Sequence, residues 1–155
     1  MVLVKLFMYR FLKCDCKNKC ELPKTYWTKP CVKFGKICGF PELAVLHLYK
    51  EKGYRGFWAD TFHKKYWQDM QSKFSFDDLD INNKKIVDKI KKINDGNIKG
   101  FWDLIIWKDK KIKFVEVKGM PSKDKLRDTQ IKFKDNMLAY GFDNDDFIVM
   151  EWDYS

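Results

Sequence analysis

Asp103, Glu116 and Lys118 are the residues whose types and spacing offer chemistry. Val117 alone stands between Glu116 and Lys118, so in a strand those two share one face and Val117 turns to the other. If residues 101–107 and 112–118 are strands joined by a turn at 108–111, the hairpin brings Asp103 beside Glu116. Two carboxylates at one sheet edge, with a main-chain carbonyl such as that of Val117, supply the oxygen donors that Mg²⁺ or Mn²⁺ takes. A metal held there polarises a phosphoryl oxygen as water attacks phosphorus, and Lys118 would orient the water, favour hydroxide or compensate the growing charge. The bland alternative is a hairpin with surface charges. Against it, Asp103 interrupts the apolar run Phe101-Trp102 and Leu104-Ile105-Ile106, where an uncompensated charge is costly.

The elements that must position these groups are legible from periodicity. Pro41 suits a first helical turn, and Leu43, Val45, Leu46, Leu48 and Tyr49 carry a helix to a stop at Gly53. Asp60 to Met70 reads as a second helix, with Phe62, Tyr66, Trp67 and Met70 on one broad face. Asn82 to Ile93 is a third, ended by Asn94-Asp95-Gly96-Asn97. After the hairpin, Asp124 to Tyr140 is a long helix and Phe147 to Trp152 a third strand, needing a right-handed crossover if it runs parallel to the second. Val2 to Leu12 fits a strand or a short amphipathic helix, with a helix or extended arm preferred, and Lys13 to Gly39 reads as an irregular surface segment. The expected class is α/β, a small mixed sheet flanked by helices in one domain.

Composition narrows the partners. The chain has 155 residues, 45% hydrophobic and 17% aromatic, enough for one core and too few for two ordinary domains. Its apolar runs are interrupted far short of a membrane span and no signal peptide is evident, so an intracellular, nucleic-acid-associated protein with no membrane partner is expected. Of the 31 Lys and Arg that give a net charge of +9, 12 lie in residues 1–60 against 5 acids. That surplus suits phosphate, with Lys13, Lys17, Lys19, Lys24, Lys29, Lys33 and Lys36 as candidate contacts, joined by Lys64 and Lys65. Lys- and Asn-rich genomic usage is the plain alternative. Cys14, Cys16, Cys20, Cys31 and Cys38 are odd in number and unevenly spaced, which disfavours a complete disulfide framework; four of them could ligate a structural Zn²⁺, and otherwise they are free thiols. His47 reads as a structural or surface packing residue, with a metal site shared with His63 as the alternative; Phe57 and Trp58 read as core or as a stacking platform, and Asp77, Asp78 and Asp80 lack calcium-loop spacing.

Several of these stretches resemble one superfamily. Gly100-Phe101-Trp102-Asp103-Leu104 is similar to the Gly-x-Pro-Asp strand of the PD-(D/E)xK nucleases, with Trp102 where proline is common, and Phe114-Val115-Glu116-Val117-Lys118-Gly119 is similar to the Glu-Val-Lys-Gly motif of their VRR-NUC branch. Leu126-Arg127-Asp128-Thr129-Gln130 resembles the helix start that bears a functional glutamine. Pro41-Glu42-Leu43 resembles the first-helix glutamate, and Leu46 through Gly56 the helix and turn of Fanconi-associated nucleases. The resemblance implies a restriction-endonuclease-like core, a catalytic set of Glu42, Asp103, Glu116, Lys118 and Gln130, and metal held by Glu42, Asp103, Glu116 and the Val117 carbonyl. It covers about residues 40–155 as a nuclease domain and leaves 1–39 as a basic, cysteine-rich amino-terminal segment.

The implied activity is a divalent-metal-dependent DNA endonuclease on flap, branched or junction DNA such as a Holliday junction, in a DNA-repair setting and acting as a homodimer. Other function classes fit the same residues: a DNA- or junction-binding module without catalysis, an RNA nuclease, and a defence or toxin nuclease.

Overall fold

The computed structural model describes residues 4–120 and 125–155. The expected starts at Val2 and Asp124, and most of the loop expected over 122–125, lie outside the described residues. The strands are β1 (Lys5–Lys13), β2 (Val32–Phe34), β3 (Ile37–Gly39), β4 (Arg55–Asp60), β5 (Lys65–Trp67), β6 (Lys73–Ser75), β7 (Leu104–Lys108), β8 (Lys111–Gly119) and β9 (Phe147–Tyr154). The helices are α1 (Pro41–Glu51), α2 (Ile81–Ile93) and α3 (Asp128–Tyr140). One mixed sheet runs in the order β3-β2-β1-β9-β8-β7-β4-β5-β6. Only β1 with β9 and β9 with β8 pair in parallel; the remaining neighbours are antiparallel. The α/β class and restriction-endonuclease-like core hold, with a sheet wider than the three strands legible in the sequence. Among the described residues no helix is long and apolar enough to cross a membrane.

The sheet separates two apolar layers. One face carries Leu104, Ile106, Val115, Ile148 and Met150 against Leu43, Val45 and Leu46 of α1. The other carries Ile105, Phe114, Phe147 and Val149 against Val87 and Ile90 of α2 and Phe133 and Met137 of α3. The β7–β8 hairpin follows the expected register, Leu104 with Val115 and Lys108 with Lys111, closed by Asp109 and Lys110 at φ 51° and 70°. Those two left-handed residues give the turn that fits strand twist. The helix α3 is the crossover that carries the chain from β8 to its parallel neighbour β9.

Three expectations are corrected. Residues 5–13 form a strand rather than a helix or arm, because their partner is β9, paired from Lys5 with Ile148 to Phe11 with Tyr154. Residues 13–39 are not wholly irregular: two 3₁₀ turns at Lys17–Glu21 and Lys24–Tyr26 precede the β2–β3 hairpin, which turns at Gly35 with φ 59°. Asp60 to Met70 is no helix but the second half of a hairpin, Trp58 pairing with Trp67 and Asp60 with Lys65, with Lys64 at φ 54° in the turn. Tyr66 and the adjacent Trp67 belong to apolar layers on opposite faces of the sheet, which a strand permits and one helix face does not. Lys64 and Lys65 therefore sit on a turn and a strand.

Candidate active site

Asp103 immediately precedes β7 and is gripped from both sides. Its carbonyl accepts the Ala59 N–H at 2.7 Å, continuing the β4 ladder, and its carboxylate Oδ2 accepts the Val117 N–H at 2.9 Å from β8. The hairpin register, extended by one pair beyond Leu104 and Val115, sets Asp103 opposite Glu116. Val117 turns away and packs with Val115 on the α1 face. Gly100 starts this approach at φ 77°, where a Cβ would lie 1.9 Å from the Thr129 carbonyl oxygen. Only glycine lets the first turn of α3 come so close. Trp102, at the position where proline is common, is fully buried, stacks edge-on against Phe147 and donates its indole N–H to the Gln130 carbonyl at 3.2 Å. The indole thus ties the strand to α3 and leaves Asp103 in place.

Burial dominates the electrostatics. Glu116 is 3% exposed, and burial, followed by the charge of Asp103 and a hydrogen bond with it, raises its carboxyl well above the usual range; Lys118 and Arg127 oppose that rise. Glu42, in the first turn of α1, is also raised by burial, with Lys29 opposing and Asp103 adding to the rise. Lys29 Nζ meets Glu42 Oε1 at 2.7 Å and lies 5.6 Å and 5.1 Å from the ring centres of Phe40 and Trp58. Burial alone would depress the Lys29 ammonium, but Glu42, Asp103 and Asp60 together lift it. Asp103 is the common neighbour: its charge acts on Glu42 and on Glu116, and Lys118 acts on Glu116. Gln130 is 1% exposed, and its side-chain Oε1 accepts the Arg127 N–H at 3.0 Å at the start of α3.

A cleft of about 320 Å³ opens on the Glu42 and Asp103 side; its walls include Lys29, Glu42, Asp60, His63, Asp103 and Arg127, and Glu116, Lys118 and Gln130 do not line it. Asp60 and Arg127 are members that sequence reasoning did not assign to a site, and His63, weighed there only as a partner of His47, lines this cleft without it. Asp60 accepts the Tyr26 hydroxyl at 2.5 Å and the Trp67 indole N–H at 3.3 Å, and His63 Nδ1 lies 2.9 Å from its carboxylate. His63 Nε2 faces Thr25 Oγ1 at 2.6 Å, and its ring stacks on Tyr26 at 3.7 Å. The Asp60 carboxylate and the Thr25 hydroxyl thus fix the orientation of this ring on the cleft wall. The signal for it was Asp60-x-x-His63, obscured by reading those residues as a helix. His47 lies elsewhere, its Nε2 3.0 Å from the Glu51 carboxylate along α1.

The remaining candidates are dispersed. Phe57 and Trp58 are core, whereas Phe62 on the cleft wall is 80% exposed. Asp80 caps α2, accepting from the N–H groups of Asn82 and Asn83, and Asp78 accepts from the Ser75 hydroxyl. Lys13, Lys17, Lys24, Lys33, Lys36 and Lys64 are exposed, while the Lys19 ammonium donates to the Lys29 carbonyl. Cys14 is bonded to Cys38 and Cys16 to Cys31, leaving Cys20 as the free cysteine among the described residues. The expectation of free thiols is thereby corrected for four of the five, while Cys20 leaves the framework incomplete. The strand pairings of this segment bring together cysteines 15 and 24 residues apart.

Among the described residues, no group of three or more His, Cys, Asp or Glu side chains is arranged as a ready metal cage. In the carboxylate neighbourhood the Lys29 ammonium supplies positive charge beside Glu42. Glu42 Oε2 and Glu116 Oε2 are buried without a hydrogen-bond partner, as is Asp146 Oδ1 outside this neighbourhood. Orphaned buried carboxylate oxygens are costly, and a hard divalent ion takes such donors.

A family model described as the VRR-NUC domain matches residues 51–145, more than half of the chain. No curated protein and no solved structure matches it.

Proposed function

Because this chain belongs to the VRR-NUC family, within the PD-(D/E)xK-like nuclease superfamily, we propose that it is a divalent-metal-dependent endonuclease that hydrolyses DNA phosphodiester bonds, with flap, branched or junction DNA as its substrate class. The observation that carries the reading is the pair of orphaned oxygens on Glu42 and Glu116 in the electrostatic neighbourhood of Asp103. Glu42, Asp103 and Glu116, with the Val117 carbonyl, would hold Mg²⁺ or Mn²⁺. Such an ion supplies Lewis acidity toward a phosphoryl oxygen and acidifies its water.

The chain's own groups divide the remaining work. The Val117 N–H fixes the Asp103 carboxylate, so its orientation does not depend on the substrate. Lys118 and Arg127 bring positive charge to the Glu116 side of the site, suited to orienting water and balancing charge on the phosphoryl oxygens. Gln130, at the start of α3, is assigned an active-site contact through the same motif. His63, oriented by Asp60, can hand a proton to a departing oxygen. The exposed lysines of residues 13–36 extend the contact to the phosphate backbone.

A homodimer fits the edge of β1. Residues 5–11 pair with β9 on one side, β2 joins only at Leu12 and Lys13, and Leu6, Phe7 and Met8 are exposed. An unpaired apolar strand edge favours a second strand.

The test is Mn²⁺-dependent cleavage of labelled linear, flap and four-way-junction DNA and of matched RNA, with Asp103→Asn as control. Metal-dependent DNA cutting that Asp103→Asn abolishes is expected. Binding without cutting would replace the reading with a binding module, and preferential RNA cutting would replace its substrate.

A further inference from the structure

The fold sorts the five cysteines. Cys14 and Cys16 follow the end of β1, Cys31 immediately precedes β2, and Cys38 lies in β3. Two strand pairings converge on these positions: Lys13 with Val32 between β1 and β2, and Lys33 with Cys38 between β2 and β3. The Cys14 N–H adds a bond of 3.3 Å to the Cys31 carbonyl. The two disulfides, Cys14 to Cys38 and Cys16 to Cys31, touch each other, with Cys16 Sγ 3.6 Å from Cys38 Sγ. Cys20 stands apart, exposed, its thiol 3.4 Å from the Lys17 carbonyl.

Four sulfurs from three separate backbone stretches meet here in two touching disulfides, no metal cage as they stand but a close grouping of thiols once reduced. A tetrahedral zinc thiolate has Zn–S bonds of about 2.3 Å, which sets its sulfurs about 3.8 Å apart. One separation between the two disulfides, Cys16 Sγ to Cys38 Sγ, is already near that size, and opening the two bonds must widen the bonded pairs toward it. We propose that Cys14, Cys16, Cys31 and Cys38 form a four-thiolate zinc site in the reduced chain, of which the two disulfides are the metal-free oxidised form. A disulfide sulfur is no ligand, so the site exists only once both bonds are opened. The net charge of four thiolates and one Zn²⁺ is −2, and Lys13, Lys19 and Lys29 line the cleft beside Cys14, Cys16 and Cys31. Soft, tetrahedral sulfur donors select zinc over the hard cations suited to the carboxylates.

The site has a consequence for the carboxylates. Lys29 is two residues before Cys31, and its carbonyl is held by Lys19, inside the loop that the four sulfurs close. Either form of the clasp fixes the loop that delivers Lys29 to Glu42. This consequence rests on the nuclease reading, whereas zinc binding does not.

The experiment uses the full chain. A phosphine opens each disulfide by taking up the oxygen of one water as it becomes phosphine oxide, leaving two thiols; Zn²⁺ then displaces the four thiol protons. After removal of excess metal, elemental analysis should give one zinc per chain. Alkylation followed by mass spectrometry should then modify Cys20 alone, against all five cysteines without zinc. Co²⁺ in place of Zn²⁺ should give the visible absorption of a tetrahedral thiolate. Cys20→Ser should keep one equivalent and Cys31→Ser should keep none. Should Cys31→Ser not fold, protection in the unsubstituted chain decides. Alkylation of all five thiols with zinc present, or iron bound instead of zinc, would overturn the proposal and leave the nuclease reading untouched, since no readout uses DNA.

Discussion

Lys29 Nζ stands 2.7 Å from Glu42 Oε1, so the cysteine-rich segment delivers a cation to a buried glutamate at the start of α1. Coulomb attraction to Glu42, Asp103 and Asp60 outweighs the desolvation of Lys29. The lysine thus stabilises the metal-free carboxylates.

Lys29→Met removes that partner and leaves Glu42 buried beside Asp103. A loss of about 2–3 kcal/mol in unfolding free energy is expected in chelator at neutral pH, at the low end for a buried pair because Lys29 is a quarter exposed. Added Mn²⁺ should raise the melting temperature of this variant more than that of the unsubstituted chain. An equal rise in both would show that ammonium and metal do not compete for the same charge.

Asp103→Asn keeps an amide oxygen able to accept the Val117 N–H and removes only the charge. Single-turnover cleavage should fall at least about a hundredfold, or roughly 2.7 kcal/mol, with DNA binding preserved or strengthened. Cleavage at the original rate with an intact fold would remove Asp103 from the chemistry.

The raised carboxyl of Glu116 sets a pH dependence. A folded-state pKa above the unfolded value means the native state keeps a proton that the unfolded state has released. Its stabilising contribution is whole below the ordinary glutamate range and is lost as pH rises through the elevated folded value. Denaturation in chelator should therefore show stability falling across that window, and Glu116→Gln should flatten the fall. A Gln variant with the same slope would assign the titration elsewhere.

Exposed lysines of the amino-terminal segment should govern the salt dependence of DNA binding. Replacing Lys17, Lys24, Lys33 and Lys36 by alanine should lower the log-log salt slope by roughly 0.9 for each phosphate that is no longer neutralised, without affecting cleavage at saturating DNA. An unchanged slope in a folded variant takes this face off the DNA.

Phe62, exposed beside His63 on the cleft wall, is the aromatic free to stack on an unpaired base. Phe62→Ala should weaken binding to flap or single-stranded DNA by about 1–3 kcal/mol and leave duplex binding nearly unchanged. Equal weakening on both would point to a structural role.

Local patterning by itself determined α1, α2, most of α3, the β7–β8 hairpin and the opposition of Asp103 and Glu116, because a short turn and a period of two leave little freedom in register. Glu42 is 61 residues upstream of Asp103 and entered through a motif rather than through geometry. Tertiary structure alone decided the rest. Lys5–Lys13 is a strand because β9 offers it an edge, and Asp60–Trp67 is not a helix because β4 and the two apolar layers claim Tyr66 and Trp67 on opposite faces. The convergence of Cys14, Cys16, Cys31 and Cys38 and the insertion of Lys29 beside Glu42 depend on pairings between separate segments, which helical or strand periodicity within any one of them does not encode.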